Sequence, residues 1–167
     1  MNLIPANLRP AVVADIPCMM ELERACPSTA HWTEQQYRQA VGEDTEDPAR
    51  LVLAAEAGSP AVAERKSSPD ARILGFLVAR RLASEWELEN IVVAPAARRM
   101  GVGQRLLDAL LAEASHTDNA SVFLEVRESN VPARKLYEKM GFEQTGRRKS
   151  YYADPAEDAI LYTRSGG

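Results

Sequence analysis

Two arginines and two glycines stand close together at Arg98, Arg99, Gly101 and Gly103, directly after a run of branched aliphatic residues. Glycine lets a backbone approach a bound group closely, and free main-chain amides at a helix start bind anions together with the helix dipole. This segment therefore predicts a loop that cradles a pyrophosphate. The same pattern also fits a glycine-containing helix start with solvated arginines.

A carboxylate and a phenol further along the chain are candidates for proton transfer. Glu125 lies in a stretch of alternating polarity and Tyr137 on a helical stripe. A carboxylate can take a proton from an amine, and a phenol with a pKa of about 10 is protonated near pH 7. Pattern alone leaves two other interpretations, a solvated Glu125 paired with Arg127 and a core aromatic at Tyr137. Glu87 and Glu89 are rival bases.

The first helix that must support these groups is predicted to begin at Asp15, which can cap free amides, with Pro17 in its first turn. Helical spacing leaves three charged residues on the predicted solvent side, namely Glu21, Glu23 and Arg24. If Cys18 and Cys26 share this helix, roughly 12 Å separates them, beyond the ~7 Å limit for a disulfide. Both are expected to be reduced packing residues.

A second helix start is indicated between Trp32 and Tyr37. Thr33 and Gln36 have the spacing of a capping box, and Trp32 and Tyr37 occupy the two positions of a hydrophobic staple. The segment therefore predicts a well-defined entry into a helix.

Strands and two further helices complete the predicted architecture. One helix is predicted over 102–114, and another is capped by Asn130 and closed by Gly141. Strands are predicted over 51–55, 73–82, 87–93, 122–127, 142–151 and 158–164. The element order predicts a single domain over 1–167 of the α/β or α+β class, with a mixed central sheet.

Composition excludes several classes of function. The 167 residues carry a net charge of -4, whereas a nucleic-acid scaffold needs a basic stripe. No apolar run is long enough to span a bilayer, and no signal peptide is evident, so we expect a cytoplasmic protein without nucleic-acid or membrane partners. His31 and His116 are isolated and the cysteines lack a CxxC spacing, so no metal site is expected.

Two motifs resemble those of the GNAT acetyltransferase superfamily. One is Arg-x-x-Gly-x-Gly at 98–103 after Ile-Val-Val, and the other is NVPARKLYEKMGF at 130–142, similar to Asn-x-x-Ala-x-x-Leu-Tyr-x-x-x-Gly-Phe. The similarity covers 8–164. It implies a mixed sheet of about six or seven strands flanked by about four helices, and an N-acetyltransferase that uses acetyl-CoA as cosubstrate.

The resemblance also implies roles for individual residues. Glu125 matches the general base and Tyr137 the general acid. Trp32, Tyr151 and Tyr152 are the implied acceptor-binding residues. The implied coenzyme-binding residues are Ile91, Val92, Val93, Arg98, Arg99, Met100, Gly101, Val102, Gly103, Gln104 and Asn130.

Within the superfamily, the chain is similar to the RimI branch, the bacterial ribosomal-protein-alanine N-acetyltransferases. The likeness lies in the LEVR segment at 124–127, in Trp32-Thr33, and in Tyr151-Tyr152 with the later EDAI segment. It implies an acceptor that is the N-terminal alanine of a small-subunit ribosomal protein, and an enzyme that is a monomer or weak dimer. The acidic segment 43–47 either attracts a basic tail of that acceptor or only solubilises the surface.

Two other functions stay open at this point: acetylation of a small-molecule amine or a broader set of N-termini, and a non-catalytic module that senses acetyl-CoA. The chain departs from the family pattern near the expected acceptor site. His31 stands where proline often precedes the tryptophan, and 58–71 looks like an insertion. These departures bear on the acceptor more than on the coenzyme.

Overall fold

The computed structural model describes residues 6–28, 30–41, 49–58, 73–117 and 120–166. Within them, seven strands form one sheet in the order β1-β2-β3-β4-β5-β7-β6. The strands are β1 Ala6–Pro10, β2 Arg50–Ala57, β3 Ile73–Leu82, β4 Glu85–Val93, β5 Val122–Arg127, β6 Glu143–Ala153 and β7 Ala156–Arg164. The helices are α1 Ile16–Arg24, α2 Glu34–Val41, α3 Val102–Ala114 and α4 Val131–Lys139.

The strands β4 and β5 are the one parallel pair among the described strands, and they separate along their length. Their pairing runs from Trp86 opposite Val122 to Leu88 opposite Leu124. β4 is also irregular against β3, where the register shifts so that Val78 and Ala79 lie opposite Asn90 and Leu88 and the extra residue Glu89 forms a bulge. A bulge of this kind bends its strand and ends regular pairing. Beyond Leu88 the sheet is therefore open between β4 and β5.

Each face of the sheet is covered by its own apolar cluster. Leu106, Leu107 and Leu110 of α3 pack on one face, and Met19 of α1 and Tyr37 of α2 pack on the other. The bulge at the β4 midpoint changes which residues of that strand face each layer. Before the bulge, Leu88 belongs to the α3 side, whereas Asn90, one residue beyond it, bonds to α1 and α2.

The predicted mixed sheet of six or seven strands with four helices is confirmed. The 102–114 helix and the 122–127 strand have the predicted bounds, and the Thr33–Gln36 capping box is present. Strand β1 was not predicted, because its five residues are few and include Asn7 and Pro10, two residue types that strands seldom contain. The acidic segment 43–47 and all of 58–71 after its first residue lie outside the described residues.

Two predictions about α1 are wrong. Asp15 makes no side-chain cap to α1; its carboxylate instead accepts hydrogen bonds from Arg9 and from the Val12 amide. Glu23, placed on the solvent side from its charge, is buried. Cys26 lies beyond the end of α1, where it is buried. No helix in the described part of the chain is long and apolar enough to cross a bilayer.

Candidate active site

The loop before α3 presents a set of main-chain amides. Gly101 is the N-cap of α3 with a φ of 82°, and Arg99 also has a positive φ of 61°. The first helical hydrogen bond joins the Arg105 amide to the Gly101 carbonyl over 3.0 Å. Among the described residues, none accepts a hydrogen bond from the amides of 99–104. These amides, at the positive end of α3, form the kind of site that binds a phosphate group.

Close packing keeps this loop against α4. A Cβ atom at Gly103 would lie 3.1 Å from a methyl carbon of Leu136 and 3.6 Å from one of Val93. The Lys139 ammonium donates to the Gln104 side chain over 3.1 Å. Glycine at position 103 therefore lets the start of α3 approach both β4 and α4, which brings the loop near the helix that carries Tyr137.

Arg98 contributes to the loop differently from Arg99. Its guanidinium donates to the Cys26 sulfur over 3.1 Å and to the Val93 carbonyl over 3.4 Å. Arg98 therefore ties the segment after α1 to the end of β4. Its charge lies at that strand end rather than among the amides of 99–104.

Strand β4 has one paired edge and one open edge where coenzyme contacts are expected. Ile91, Val92 and Val93 lie opposite Leu77, Phe76 and Gly75 of β3, in that order. The other edge of the same residues faces the gap toward β5, because the β4–β5 pairing ends at Leu88. An extended chain bearing amide groups can pair with such an edge as an added strand does.

Asn130 lies at the start of α4, beside the wide end of the gap. Its side-chain oxygen accepts from the Ala133 amide over 3.3 Å, which caps α4 as the sequence indicated. Its amide nitrogen lies 3.5 Å from the Ser28 hydroxyl. Ser28 belongs to the segment between α1 and α2, so this segment and α4 meet across the gap.

Glu125 lies on β5, with its side chain on the face that α1 and α2 cover. Arg148 of β6 forms an ion pair with it, with 3.1 Å between Nη2 and Oε1, whereas Arg127 binds Glu157 instead. The Tyr151 hydroxyl is also close, since hydrogen bonding to Glu125, and then its charge, raises the pKa of Tyr151. The proposed base therefore has a cation and a phenol at its carboxylate.

Tyr137 is buried on α4, with 4% of its surface exposed. Its ring lies 5.8 Å from that of Phe142 and 6.1 Å from that of Tyr162, measured between centroids. Burial, and then the proximity of Tyr152, raises the pKa of Tyr137 well above its usual range. The phenol is therefore protonated at neutral pH, as a general acid must be before it acts.

Tyr152 lies near both proposed catalytic residues. Burial, and then the charge of Glu125, raises the pKa of Tyr152, and Tyr152 in turn affects Tyr137. The structure gives no hydrogen bond between Glu125 and Tyr137 themselves. The rings of Tyr151 and Tyr152 pack against each other with 5.2 Å between their centroids, and the two phenols link the surroundings of Glu125 to those of Tyr137.

The β6–β7 hairpin that carries these tyrosines is fixed by Arg127. The guanidinium donates to the carbonyls of Asp154 and Pro155 over 3.0 and 3.1 Å and to Glu157 over 2.9 Å. It also lies 4.1 Å from the centre of the Tyr152 ring. The sequence interpretation gave Arg127 only a pairing with Glu125 and missed this anchoring role.

The rival carboxylates differ in their surroundings. Glu89 forms an ion pair with Arg50, with 3.1 Å between Nη1 and Oε2. Glu87 lies near Tyr151, where its charge contributes to the raised pKa of that phenol. Glu87 and Glu125 therefore both lie near Tyr151, whereas Glu89 is paired with Arg50.

No group of three or more residues able to hold a metal ion occurs in the described ranges.

A further buried polar group was missed from the sequence. Glu23 accepts from the Asn90 side chain and from the Trp32 amide, each over 2.9 Å. A signal for its burial was present, because Ile16, Met19 and Glu23 follow the i, i+3, i+7 spacing of one helical face. The Trp32 ring packs 5.4 Å from the Tyr37 ring, as the predicted staple requires.

Comparison with known proteins places these features in context. Residues 17–142 match the model of the acetyltransferase (GNAT) family. The [ribosomal protein bS18]-alanine N-acetyltransferase of Escherichia coli K12 is 38% identical over 92 residues, which cover 54% of this chain and 62% of that protein. A putative enzyme of the same name from Bacillus subtilis is 29% identical over 156 residues, 93% of each chain.

Solved structures agree with the sequence comparison. The crystal structure of the ribosomal-protein-S18-alanine N-acetyltransferase from Escherichia coli superposes with a TM-score of 0.74 at 26% identity. The superposition covers 96% of this chain and 93% of that one. The likeness therefore extends over the sheet and all four helices of the described residues.

Proposed function

This chain belongs to the acetyltransferase (GNAT) family, and we propose that it is an acetyl-CoA-dependent N-acetyltransferase whose acceptor is the N-terminal α-amine of a protein. The observation that carries this proposal is the Glu125 carboxylate, which lies beside Tyr151 at the open gap between β4 and β5. A single carboxylate at this place suits an amine that is already partly neutral.

Acetyl-CoA fits the loop and the strand edge that adjoin the gap. The amides of 99–104 would hold its diphosphate, and the free edge of Ile91–Val93 would pair with the amides of its pantetheine arm. Arg99, whose φ of 61° directs the chain into this loop, would add positive charge. The bound coenzyme supplies an acetyl thioester, which acylates only the neutral form of an amine.

Glu125 removes the proton from the acceptor amine, directly or through a water molecule. An α-amino group has a pKa of about 7.7 to 8.0, so a useful fraction is neutral near pH 7. A lysine with a pKa of about 10.4 would need roughly 3.4 kcal/mol more to reach the same state. One carboxylate in a partly exposed setting is therefore better matched to an N-terminus than to a lysine.

Tyr137 donates a proton to the departing thiolate. Its burial and raised pKa keep the phenol protonated, so that it can donate a hydrogen bond to the sulfur during the reaction. A thiolate whose thiol has a pKa near the ~8.5 of cysteine is a weaker base than a phenolate. The proton is therefore shared with the sulfur as charge develops there, rather than transferred in advance.

The acceptor that we propose is the N-terminal alanine of a small-subunit ribosomal protein. The relatives from Escherichia coli and Bacillus subtilis carry that activity in their names. The chain spans about 62% of the Escherichia coli relative in sequence. Trp32, Tyr151 and Tyr152 supply aromatic surface for the first residues of such a peptide.

Peptide acetylation measured by mass spectrometry tests this proposal. The enzyme is incubated with acetyl-CoA and a peptide that begins with the alanine N-terminus of the ribosomal protein. The matched control is the same peptide with its α-amine blocked and its lysines intact. We expect one acetyl group on the free peptide and none on the blocked one. Acetylation of lysines or small amines alone would contradict the proposal.

A further inference from the structure

A buried carboxylate on α1 has no part in the chemistry described above. Glu23 is 2% exposed and lies among hydrogen-bond donors. Its two oxygens accept from the Asn90 side chain and the Trp32 amide. The Tyr37 hydroxyl is a third donor: burial raises the pKa of Tyr37, and the charge of Glu23 and the hydrogen bond to it raise it further. A buried charge is tolerated when its hydrogen bonds are satisfied in this way.

These partners come from three different elements. Asn90 follows the bulged residue Glu89 on β4, Tyr37 lies on α2, and Trp32 stands just before α2. Asn90 also donates toward the Tyr37 hydroxyl over 3.3 Å. Glu23 therefore joins the segment between α1 and α2 to β4 at the point where the sheet opens.

The chain next to Trp32 is held in a strained conformation. His31 has a φ of 51°, in the left-handed region that non-glycine residues seldom occupy. Strained backbone persists only where the surrounding contacts over-determine it. The Trp32 amide bonded to Glu23 is such a contact, one residue beyond the strain.

The Trp32 ring points to the face of the sheet that carries the proposed base. It packs on Tyr37, and the Arg50 guanidinium lies 5.8 Å from its centre. Arg50 is the ion-pair partner of Glu89. A chain of contacts therefore runs from Glu23 through Trp32 and Arg50 to the β4 bulge.

We propose that Glu23 is a positioning residue that fixes Trp32 in the subsite for the acceptor's first residues. The inference rests on the proposed function, since it assigns the location of the acceptor. It predicts that changes at Glu23 weaken use of the acceptor and leave coenzyme binding intact. The reason is that its hydrogen-bond partners Trp32 and Asn90 lie outside the two proposed coenzyme-binding segments, 91–93 and 99–104.

The Glu23→Gln variant tests the proposal in the full-length enzyme. The new amide nitrogen faces either the Trp32 amide or the Asn90 amide. Two hydrogen-bond donors then face each other, and one hydrogen bond of the wild-type carboxylate is lost. We expect the KM for the ribosomal peptide to rise about tenfold. The dissociation constant of acetyl-CoA, measured by calorimetry, should stay within about twofold. Glu21→Gln, at an exposed carboxylate of the same helix, should change neither.

A compensating substitution separates this positioning from a general loss of structure. In the double variant Glu23→Gln with Asn90→Asp, the new carboxylate accepts from the new amide, and the Trp32 amide keeps its acceptor. We expect the peptide KM to return to within about threefold of the wild-type value. Tyr37→Phe removes the third donor to Glu23 together with the hydroxyl toward which Asn90 donates, and a rise of about threefold in peptide KM is expected. If Glu23→Gln does not fold, the peptide KM of Tyr37→Phe tests the proposal in its place.

The outcomes distinguish this inference from the proposed function. A wild-type enzyme that binds acetyl-CoA but acetylates no peptide N-terminus removes the proposed function and this inference with it. An active wild-type enzyme whose peptide KM is unchanged in Glu23→Gln or, where that variant does not fold, in Tyr37→Phe overturns the inference alone. The same holds if acetyl-CoA affinity falls as much as peptide affinity, or if the double variant restores nothing.

Discussion

The Arg148 guanidinium lies 3.1 Å from the Glu125 carboxylate and 5.4 Å from the centre of the Tyr151 ring. A cation thus lies directly beside the carboxylate that the proposed acceptor amine must reach. The Arg148 side chain is 55% exposed, and ion pairs this exposed contribute little to stability. An acceptor amine can therefore displace Arg148 at small cost and take its place beside the carboxylate.

The first prediction concerns Glu125 itself. Glu125→Gln keeps the size of the side chain and removes its basicity, so kcat for peptide acetylation should fall by about 10²-fold or more. Acetyl-CoA binding should be retained, because the amides of 99–104 are untouched. Steady-state kinetics and calorimetry on the same preparation check both expectations.

Glu87→Gln is the matched control, because Glu87 shares the surroundings of Tyr151 with Glu125. We expect this variant to lose less than tenfold in kcat, as a neighbouring charge rather than the base. If Glu87→Gln loses the larger factor and Glu125→Gln the smaller, the two roles are exchanged and our assignment is wrong.

The second prediction concerns Tyr137. Tyr137→Phe should lower kcat by about 10²-fold, since the leaving thiolate loses its proton donor. Burial, followed by Tyr152, raises the pKa of Tyr137 above its ordinary 10.0. Its protonated form is therefore present at all pH values below about 10. The wild-type kcat profile should show no loss on this account up to about pH 9.5, and a descending limb near pH 8 that disappears in Tyr137→Phe would contradict the raised pKa; a Tyr137→Phe variant with unchanged kcat would contradict the assignment.

The same raised pKa affects stability in a defined direction. The neutral phenol is favoured in the folded state, so its contribution is fully present below the unfolded value of 10.0 and is lost as the pH rises through the folded value. The difference in unfolding free energy between wild type and Tyr137→Phe should therefore be constant between about pH 6 and 9. Urea unfolding at several pH values measures it.

The third prediction concerns the loop before α3. Gly101→Ala places a side chain at a φ of 82°, which costs about 1 to 2 kcal/mol if the loop holds its shape. Relaxation of that strain would turn the amides away from a bound diphosphate. We expect the acetyl-CoA dissociation constant to rise about tenfold. Gly146→Ala is the control, because its Cβ would meet Leu161 only at an ordinary 3.6 Å; equal losses in both variants would count against the cradle.

Local signals in the sequence were sufficient for the elements that form the coenzyme loop. Gly101 and Gly103, the helix pattern of 102–114 and the cap at Asn130 each determine their structure through short-range contacts. The roles of Glu125 and Tyr137 came from the family resemblance alone, because each residue also fits an ordinary strand or helix position.

Long-range polar pairing was beyond local patterns. The burial of Glu23 depends on donors from Asn90, 67 residues away in sequence, and a carboxylate without known partners is assigned to solvent by default. The sequence pattern paired Glu125 with Arg127, whereas the structure pairs it with Arg148, again a partner distant in sequence. Arg127 is nearer in sequence, but residues two apart on a strand share a face without meeting, and the hairpin brings Arg148 to Glu125 instead.

The fourth prediction concerns the anchor of strand β1. Burial favours the neutral form of Asp15, but the Arg9 guanidinium and the Val12 amide outweigh it and hold the pKa of Asp15 below its usual 3.8. A lowered folded pKa gives stability that is present above the unfolded value and is lost as the pH falls through the folded one. Asp15→Asn should therefore lower the unfolding free energy by about 2 kcal/mol at pH 7, and by less near pH 3.

Urea unfolding of both proteins at a series of pH values measures this effect. Asp108→Asn, at an exposed position of α3, should leave the unfolding free energy within about 0.5 kcal/mol of wild type throughout. A difference between wild type and Asp15→Asn that persists unchanged into acid would show that packing, not charge, accounts for the role of Asp15.

The fifth prediction concerns Arg127 and the hairpin that it anchors. Arg127→Gln removes the donors to the Asp154 and Pro155 carbonyls and the cation that lies over the Tyr152 ring. Tyr151 and Tyr152 would then be held less firmly beside Glu125. The KM for the peptide should rise about tenfold, with acetyl-CoA affinity unchanged.

Arg134→Gln is the control. Arg134 lies on α4 and donates to the Tyr162 hydroxyl and to the Glu128 carbonyl, not to the β6–β7 turn. If Arg134→Gln raises the peptide KM as much as Arg127→Gln does, the hairpin has no special part in holding the acceptor, and the aromatic pair must be fixed by contacts other than Arg127.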